Sequence, residues 1–357
     1  MKKQLSIITS AVILSTSFAY AESENVNEAF KNGSVSGDLS AYTQQVDDGT
    51  SKSGFSSATF GLNYETGSVN GFSAQAGFRA NHELSSKNDG DYNGEFANNA
   101  LMTLANIKYS NNIATIIAGR QEIDLEWIGD YNDALLAKLT PMDNLEITAA
   151  FARRQAAAGV DESTDFEKIG EDGVYLIDAK FEALKGLVLN PYFYEAKDVA
   201  SYYGLKATFD NDMFGLTGHY AQSNEDDNSI KDASIYNLEA RTSVANLDLA
   251  LGYIKTDEDI SSIATAGDNI DPTEEIGDSV YATDSKTIYA SAGYTIADIE
   301  LSAGYAQAKY SNNKDKEFVV GAGYSFVENL SAEVLYVDYE IADVDQSKVA
   351  ATLTYEF

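Results

Sequence analysis

The chain has 357 residues, no cysteine, 56 acidic against 24 basic residues, and a formal net charge of −32. Without cysteine it has no disulfide scaffold, thiolate metal site or thiol nucleophile. The acidic balance argues against nucleic acid as a partner, because a phosphate backbone needs a basic surface. A hydrophobic content of 44% with 11% aromatic residues nevertheless supports a folded protein rather than an acidic disordered chain.

The start of the chain has the three parts of a secretory signal peptide. Lys2 and Lys3 form a positive beginning, an apolar stretch follows over residues 5–18, and Ala-Tyr-Ala at 19–21 fits a small-x-small cleavage site. The apolar stretch is short for a membrane anchor, and no later segment offers about 18 uninterrupted apolar residues. We therefore predict an exported protein whose signal peptide covers residues 1–21.

Apolar and polar side chains alternate through the rest of the chain. The pattern is clear over residues 72–80, 203–209, 247–253, 299–305 and 349–357. Successive side chains of a strand point to opposite faces, so this period of two predicts an all-β protein with one apolar face.

The alternating segments predict about 18 strands, with about 16 as the alternative. The two segments that leave this open are 134–140, which is short, and 187–194, which contains Pro191. Proline cannot donate to the strand ladder and usually belongs at an edge or a bulge. Because a closed barrel has no edge, we expect a bulge at Pro191.

Three features favour a membrane barrel over a soluble sandwich. Short connections alternate with longer acidic ones, aromatic residues cluster beside the short connections, and the chain ends on an amphipathic strand that finishes with Phe357. We predict a transmembrane antiparallel β-barrel over residues 34–357, preceded by a short periplasmic segment at 22–33. Short turns would lie in the periplasm and longer acidic loops outside. A barrel of this size encloses water, which predicts a channel.

The connection after the fifth strand is the predicted pore constriction. It has five carboxylates and the only tryptophan, Trp127, which we expect to anchor this third external loop against the inner wall. Acidic side chains in a narrow pore favour cations, because the field is focused between low-dielectric walls. A solvated external loop is the alternative. The predicted constriction residues are Glu122, Asp124, Glu126, Asp130 and Asp133.

Basic side chains at inward positions are predicted to line the opposite wall. Facing an acidic loop, they would create a transverse field that orients dipolar or zwitterionic solutes. Alternatively each makes a local ion pair, which contributes little when it is exposed. These basic residues are Arg79, Arg120, Lys180, Lys206 and Arg241.

Several short segments resemble the OprD-related porins of the Gram-negative outer membrane. They are EAFKNGSVSGDL at 28–39, GLNYE at 61–65, GRQEIDLEW at 119–127, LNPY at 189–192 and YEF at 355–357. The resemblance implies an 18-stranded barrel, a third loop folded into the lumen and passive uptake of small solutes.

The resemblance extends to a constriction role for a few residues only. Those residues are Glu122, Asp124, Glu126 and Asp130, with Arg120 on the wall. Relatives that select carboxylates use an extended basic ladder. Inward cations are sparse here and carboxylates dominate, so we expect a cation preference instead.

Two other classes of function stay open at this point. The long acidic connection over 256–284 would suit an adhesin or a structural surface protein, and a barrel hydrolase would need His82 or His219 as its base. Neither histidine stands in a recognisable catalytic motif, so we expect no enzyme activity. Nothing in the sequence predicts a cofactor or a metal site.

The expected partners follow from a position in the outer membrane. They are membrane lipid, lipopolysaccharide bridged by divalent cations, small hydrophilic solutes and cations. We also expect the barrel-assembly machinery to bind the C-terminal strand that ends at Phe357.

Overall fold

The structure, a computed structural model, describes residues 22–227, 229–259 and 270–357. The predicted signal peptide at 1–21 lies outside these residues. The described chain forms a single antiparallel sheet with three short helices. No helix in this part of the chain is both long and apolar enough to cross a membrane. The elements are α1 (Val26–Lys31), β1 (Ser34–Asp47), β2 (Lys52–Glu65), β3 (Phe72–Ser86), α2 (Asp91–Glu95), β4 (Ala100–Ser110), β5 (Ala114–Glu122), β6 (Tyr131–Met142), β7 (Leu145–Ala156), β8 (Glu167–Lys168), β9 (Val174–Leu184), β10 (Leu187–Ala196), β11 (Ala200–Asp210), β12 (Phe214–Glu225), β13 (Ala233–Val244), β14 (Leu247–Thr256), α3 (Gly277–Val280), β15 (Lys286–Ile296), β16 (Ile299–Tyr310), β17 (Asn313–Val327), β18 (Leu330–Ile341) and β19 (Val344–Glu356).

The sheet closes on itself where the first and last strands meet. β1 pairs with both β2 and β19, and Gly37 and Phe357 exchange two backbone hydrogen bonds of 2.9 and 3.0 Å. The two-residue strand β8 pairs only with the end of β7, while β7 also pairs with β9. Without β8 the wall has 18 strands, so the prediction of 18 rather than 16 is confirmed.

The two faces of the wall differ as a membrane barrel requires. Large apolar side chains such as Leu205, Leu251 and Leu353 stand exposed on the outer face, where lipid would cover them. Aromatic pairs gather at the end of the barrel that holds the short turns, for example Phe72 and Tyr109, with ring centroids 4.8 Å apart. Rings at this level suit the boundary between lipid and water.

Both segments that left the strand count open are strands. The predicted 134–140 lies within β6, which has 12 residues. The predicted bulge at Pro191 is wrong, because the register shift between β9 and β10 lies at Leu187/Val188 instead. Beside the proline, the side-chain amide of Asn190 donates to the carbonyl of Ala179 at 2.8 Å. A side chain therefore supplies a hydrogen bond next to the one position of β10 whose backbone cannot donate.

The external connections are uneven in length. Residues 87–99 and 157–173 form long connections, and the described residues 257–259 and 270–285 belong to a third. The connections at 311–312 and 342–343 are only two residues long, because the flanking strands continue almost to the turn. Ala342 and Asp343 both have positive φ, 50° and 63°, which matches the twist of a tight hairpin.

Candidate constriction site

The third external loop, residues 123–130 between β5 and β6, packs against the inner wall. Ile123, Trp127 and Ile128 are only 2%, 1% and 0% exposed. The Trp127 ring stacks on Tyr202 of β11, with centroids 6.4 Å apart and planes inclined by 20°. Burial of three large apolar side chains in a loop this short holds it against the wall.

An ion pair joins the middle of this loop to the wall. Nζ of Lys206 lies 3.0 Å from Oε1 of Glu126 and 3.3 Å from Oε2. Nδ1 of His219 is 4.0 Å from the same carboxylate, and Nε2 of His219 lies 2.7 Å from the hydroxyl of Tyr192. Glu126 thus has its charge compensated and is held by side chains of β11 and β12.

The predicted constriction acids fall into different settings. Glu122 and Asp124 are exposed, and neither has a basic group within ion-pair distance in the described ranges. Asp130 lies at the far end of the loop, where its carbonyl accepts a hydrogen bond of 2.9 Å from the backbone of Ile123. Glu126 and Asp133, by contrast, are both ion-paired. Only part of the predicted acidic set therefore carries an uncompensated charge.

Asp133 is held by two arginines. Its Oδ1 lies 2.8 Å from Nε of Arg120, its cross-strand neighbour, and its Oδ2 lies 2.5 Å from Arg154 on β7. The guanidinium of Arg120 also lies over the ring of Phe166, 3.5 Å from its centroid. Asp133 therefore belongs to the ion-paired barrel wall and not to an acidic constriction facing the pore.

Two of the predicted wall arginines are paired across an intervening strand. Arg79 on β3 reaches Asp38 on β1 at 2.6 Å, passing over Gly61 of β2. A Cβ at Gly61 would lie 2.3 Å from the Asp38 carboxylate, so only glycine leaves room for this pair.

The same acid–glycine–arginine arrangement recurs across β11, β12 and β13. Arg241 bonds to Asp210 at 2.7 and 2.8 Å, passing over Gly215, and also contacts Glu239 at 3.1 Å. These arginines are therefore neutralised by acids of their own wall. Lys180 differs, because it has no carboxylate within 4.0 Å in the ranges that the structure describes.

A polar cleft of about 200 Å³ separates the third external loop from the wall. Carboxylates and ammonium groups of the two sides line it together, and its rim includes two of the predicted acids and two of the predicted wall cations. The lining residues are Asp124, Leu125, Glu126, Asp178, Lys180, Asn190 and Lys206.

A second loop also turns inward, which the sequence did not reveal. The structure describes residues 270–285 of the seventh external loop, and 260–269 lie outside the described ranges. The Glu317 carboxylate on β17 accepts backbone hydrogen bonds from Glu274 at 2.9 Å and from Glu275 at 2.7 Å. Lys348 on β19 pairs with Glu275 at 2.7 Å.

Apolar and hydroxyl groups complete the attachment of this loop. Ile276 and Val280 are fully buried, and Oγ of Ser279 donates to Asp315 at 2.6 Å. The described part therefore packs into the barrel rather than masking its surface. The sequence feature that would have indicated this attachment is Asp315-Lys316-Glu317, because it places two acids at inward positions of one strand.

The two histidines occupy unrelated places. His82 is exposed on the outer face of β3, whereas His219 is buried between Trp127 and Tyr192. Within the described residues, no group of three or more His, Asp or Glu side chains is placed to hold a metal ion.

Comparisons with known proteins agree with this architecture. A family model described as Gram-negative porin matches residues 9–347. The Acinetobacter baumannii structure OccAB2 is similar, with 14% identity, 92% of this chain and 99% of that chain covered, and a TM-score of 0.79. OccAB4 of the same species has 17% identity, 93% and 100% coverage and a TM-score of 0.74. OprD of Pseudomonas aeruginosa has 14% identity, 91% and 93% coverage and a TM-score of 0.71.

At these identities the solved structures establish a shared fold and nothing more. No curated protein matches the chain. The family indicates a channel rather than an enzyme. The family model covers most of the sequence, so the chain belongs to the Gram-negative porin family and is a channel protein of the bacterial outer membrane.

Proposed function

We propose that this porin passes small hydrophilic solutes by passive diffusion and prefers cations. The observation that supports the preference is the contrast between loop acids and wall cations. Glu122 and Asp124 are exposed without an ion pair in the described residues, whereas Arg79 and Arg241 are each paired with a neighbouring carboxylate. A paired cation contributes a local dipole, while an unpaired carboxylate contributes a full charge to the field in the lumen.

The constriction concentrates that field. Water fills the lumen, but the loop and the wall around it have a low dielectric constant, so an uncompensated charge acts over a longer distance than in bulk solvent. Cations would be enriched beside Glu122 and Asp124, and anions would be depleted.

The polar cleft beside the loop supports a second part of the proposal. Asp124 belongs to the loop side, while Lys180 belongs to the wall side, where it has no ion-pair partner in the described residues. Opposite charges across a narrow passage would orient zwitterionic solutes as they pass. We therefore propose a modest cation preference combined with good passage of zwitterions.

A double variant tests the cation preference. Glu122→Gln/Asp124→Asn removes both unpaired loop charges while keeping side-chain size. In a planar bilayer under a salt gradient, we expect the reversal potential to move toward zero by at least half. The matched control is Asp89→Asn/Glu171→Gln, which removes two exposed acids from other external loops. An equal shift in both double variants would mean that the third external loop has no special part in selectivity.

The competing proposal is a barrel that acts as an adhesin or a structural surface protein. It predicts a sealed barrel, whereas the porin predicts stepwise conductance from single molecules. The inward position of the third external loop and of residues 270–285 of the seventh favours the porin, because a surface-binding role would leave both segments outside.

We also propose two partners for this protein in the outer membrane, lipopolysaccharide and the barrel-assembly machinery. Acidic external loops would bridge lipopolysaccharide through divalent cations, and the terminal strand would carry the assembly signal. Phe357 supports the latter because it forms the closing seam with Gly37. Phe357→Ala should lower the amount of folded barrel in the outer membrane, and an unchanged amount would contradict the assembly role.

A further inference from the structure

Four lysines form an unbroken row across four neighbouring strands. Lys255 on β14 lies opposite Lys286 on β15, Lys286 lies opposite Lys309 on β16, and Lys309 lies opposite Lys314 on β17. Each stands at the external end of its strand. Directly opposed side chains on adjacent strands have Cβ atoms about 5 Å apart, so the row spans about 15 Å.

All four lysines point outward, away from the lumen. The neighbouring residues of opposite parity, including Ile254, Thr287 and Asp315, are fully buried inside the barrel. The residues of the same parity are exposed apolar side chains such as Ile288 and Phe318. The row therefore lies on the outer face, at the level where the hydrocarbon layer gives way to the external headgroups.

The charges in this row are poorly compensated. Asp284 lies 3.3 Å from Lys286, and in the part of the chain that the structure describes no carboxylate comes within 4.0 Å of the other three. Like charges directly opposite one another destabilise a sheet. By comparison, Lys316, which also points outward on β17, is paired with its cross-strand neighbour Glu340 at 2.8 Å. In a chain with 56 acids against 24 bases, a basic row in which three of four lysines have no carboxylate within 4.0 Å among the described residues suits an external anion.

An apolar groove lies below the row and spans the same four strands together with β12 and β13. Its volume is about 730 Å³, and small side chains form its floor between larger ones at its edges. Ala290 stands four residues from Lys286, and Leu251 four residues from Lys255, which places the groove about 13 Å further along the strands in the direction of the membrane centre. The principal outward-facing side chains are Leu216, Leu251, Ala290, Ala303, Tyr305 and Phe318.

We propose that this face is a binding site for the phosphorylated glycolipid of the outer leaflet, lipopolysaccharide. Its phosphates would lie on the four lysines and its acyl chains in the groove below. Ammonium groups bind phosphate through charge and hydrogen bonds, and the groove offers apolar contact at the depth where acyl chains begin. The contact is direct and needs no divalent cation, unlike a bridge made by the acidic loops.

A second copy of this chain suits the face less well. A two-fold interface would place the lysine row against itself, which brings like charges together. An anionic lipid would neutralise the lysine charges with its phosphates and cover the exposed apolar surface below them with its acyl chains.

Native mass spectrometry of the full mature protein in detergent, with EDTA present throughout, measures which lipid the protein retains. The probes are bisphosphorylated lipid A, dephosphorylated lipid A and phosphatidylethanolamine. We expect wild-type protein to retain one bisphosphorylated lipid A and to bind each of the other two at least ten-fold more weakly. Equal retention of the three lipids, or loss of lipid A binding in EDTA, would overturn the proposal.

Two quadruple variants locate the site. Replacing Lys255, Lys286, Lys309 and Lys314 with Gln should lower lipid A retention at least ten-fold. The matched control replaces four external lysines outside the row with Gln and should retain lipid A as wild type does. These control positions are Lys52, Lys87, Lys197 and Lys231.

The outcomes separate the possible occupants of the face. Wild-type retention by the row variant would overturn the site. A lipid-free oligomer of the wild-type protein that is lost in the row variant would also overturn the site. In that case a second copy of the chain, and not a lipid, would cover the face. The comparison of phosphorylated with dephosphorylated lipid A uses wild-type protein alone and does not depend on the folding of any variant.

Discussion

Glu126 and Lys206 lie 80 positions apart in the chain, yet their carboxylate and ammonium groups meet at 3.0 Å inside the barrel. This pair ties the third external loop to β11. Glu126 is almost fully buried and Lys206 only partly so. Breaking the pair therefore costs more free energy at the carboxylate, which would be left buried without a partner, than at the ammonium group. The geometry of the pore at this level therefore depends on one ion pair as well as on the burial of Trp127.

Lys206→Met should loosen the third external loop. It leaves the buried Glu126 carboxylate without its cation, which should lower the free energy of unfolding by about 1–3 kcal/mol. We expect noisier single-channel currents and a lower urea midpoint. Adding Glu126→Gln should restore much of both properties, because no uncompensated charge is then buried. A double variant as impaired as the single one would show that the pair does not hold the loop.

Glu317→Ala should release the seventh external loop. The variant removes the acceptor for the backbone amides of Glu274 and Glu275, so the described part of the loop loses an attachment to β17. We expect a conductance increase of about 20% or more and faster proteolysis within 270–285. The matched control is Glu340→Ala, which removes an outward-facing acid from the adjacent strand. If conductance and proteolysis match wild type, this carboxylate does not fix the loop.

Gly61→Leu should disturb the ion pair between Arg79 and Asp38. A side chain at Gly61 would collide with the Asp38 carboxylate and separate the two charges. Adding Asp38→Asn removes the acid and leaves the Arg79 charge uncompensated, so the reversal potential of this double variant should move toward anion selectivity. Gly218→Ala is the control, because a Cβ there meets only Leu238 at 3.7 Å. Equal selectivity in the two variants would contradict the idea that the wall arginines are neutralised by pairing.

Glu162 should make the proposed cation selectivity pH-dependent near neutrality. It lies in the external connection 157–173, where burial, followed by repulsion from Asp161 and Asp130, raises its pKa to about 7. Below this pH the side chain is neutral, and above it a further negative charge appears near the third external loop. We expect the cation preference to rise between pH 6 and 8 and the pH step to vanish in Glu162→Gln. Glu171→Gln, in the same connection, should keep the step.

The same pKa has a consequence for stability. A carboxyl whose pKa is higher in the folded than in the unfolded protein favours folding most at low pH. Its contribution is complete below the ordinary value of 4.5 and is lost as the pH rises through about 7. Glu162→Gln should therefore flatten the fall in urea midpoint over this range. An unchanged fall would show that Glu162 ionises as an ordinary carboxyl.

Local patterns in the sequence predict the wall of the barrel well. Period-two alternation identified 18 strands, including the segment with Pro191, because each strand must satisfy lipid on one side and water on the other. The bulge expected at Pro191 did not follow, because Asn190 supplies a side-chain hydrogen bond beside it.

Contacts between distant strands could not be predicted in the same way. The pairing of Arg79 with Asp38 depends on the registers of β1, β2 and β3, and a one-residue slip would turn either side chain to the lipid face. The inward course of residues 270–285 depends on Glu317 of β17 and Lys348 of β19, which lie 43 and 73 positions along the chain from their partners Glu274 and Glu275. Alternation reveals the face that a residue occupies but not its neighbour across the sheet.

The reversal potential of the wild-type channel tests the central claim most directly. Purified protein in a neutral-lipid planar bilayer, under a ten-fold potassium chloride gradient at pH 7.5, should give a potential whose sign shows that potassium crosses more readily than chloride. A potential of the opposite sign, or a barrel that does not conduct, would contradict a cation-preferring porin.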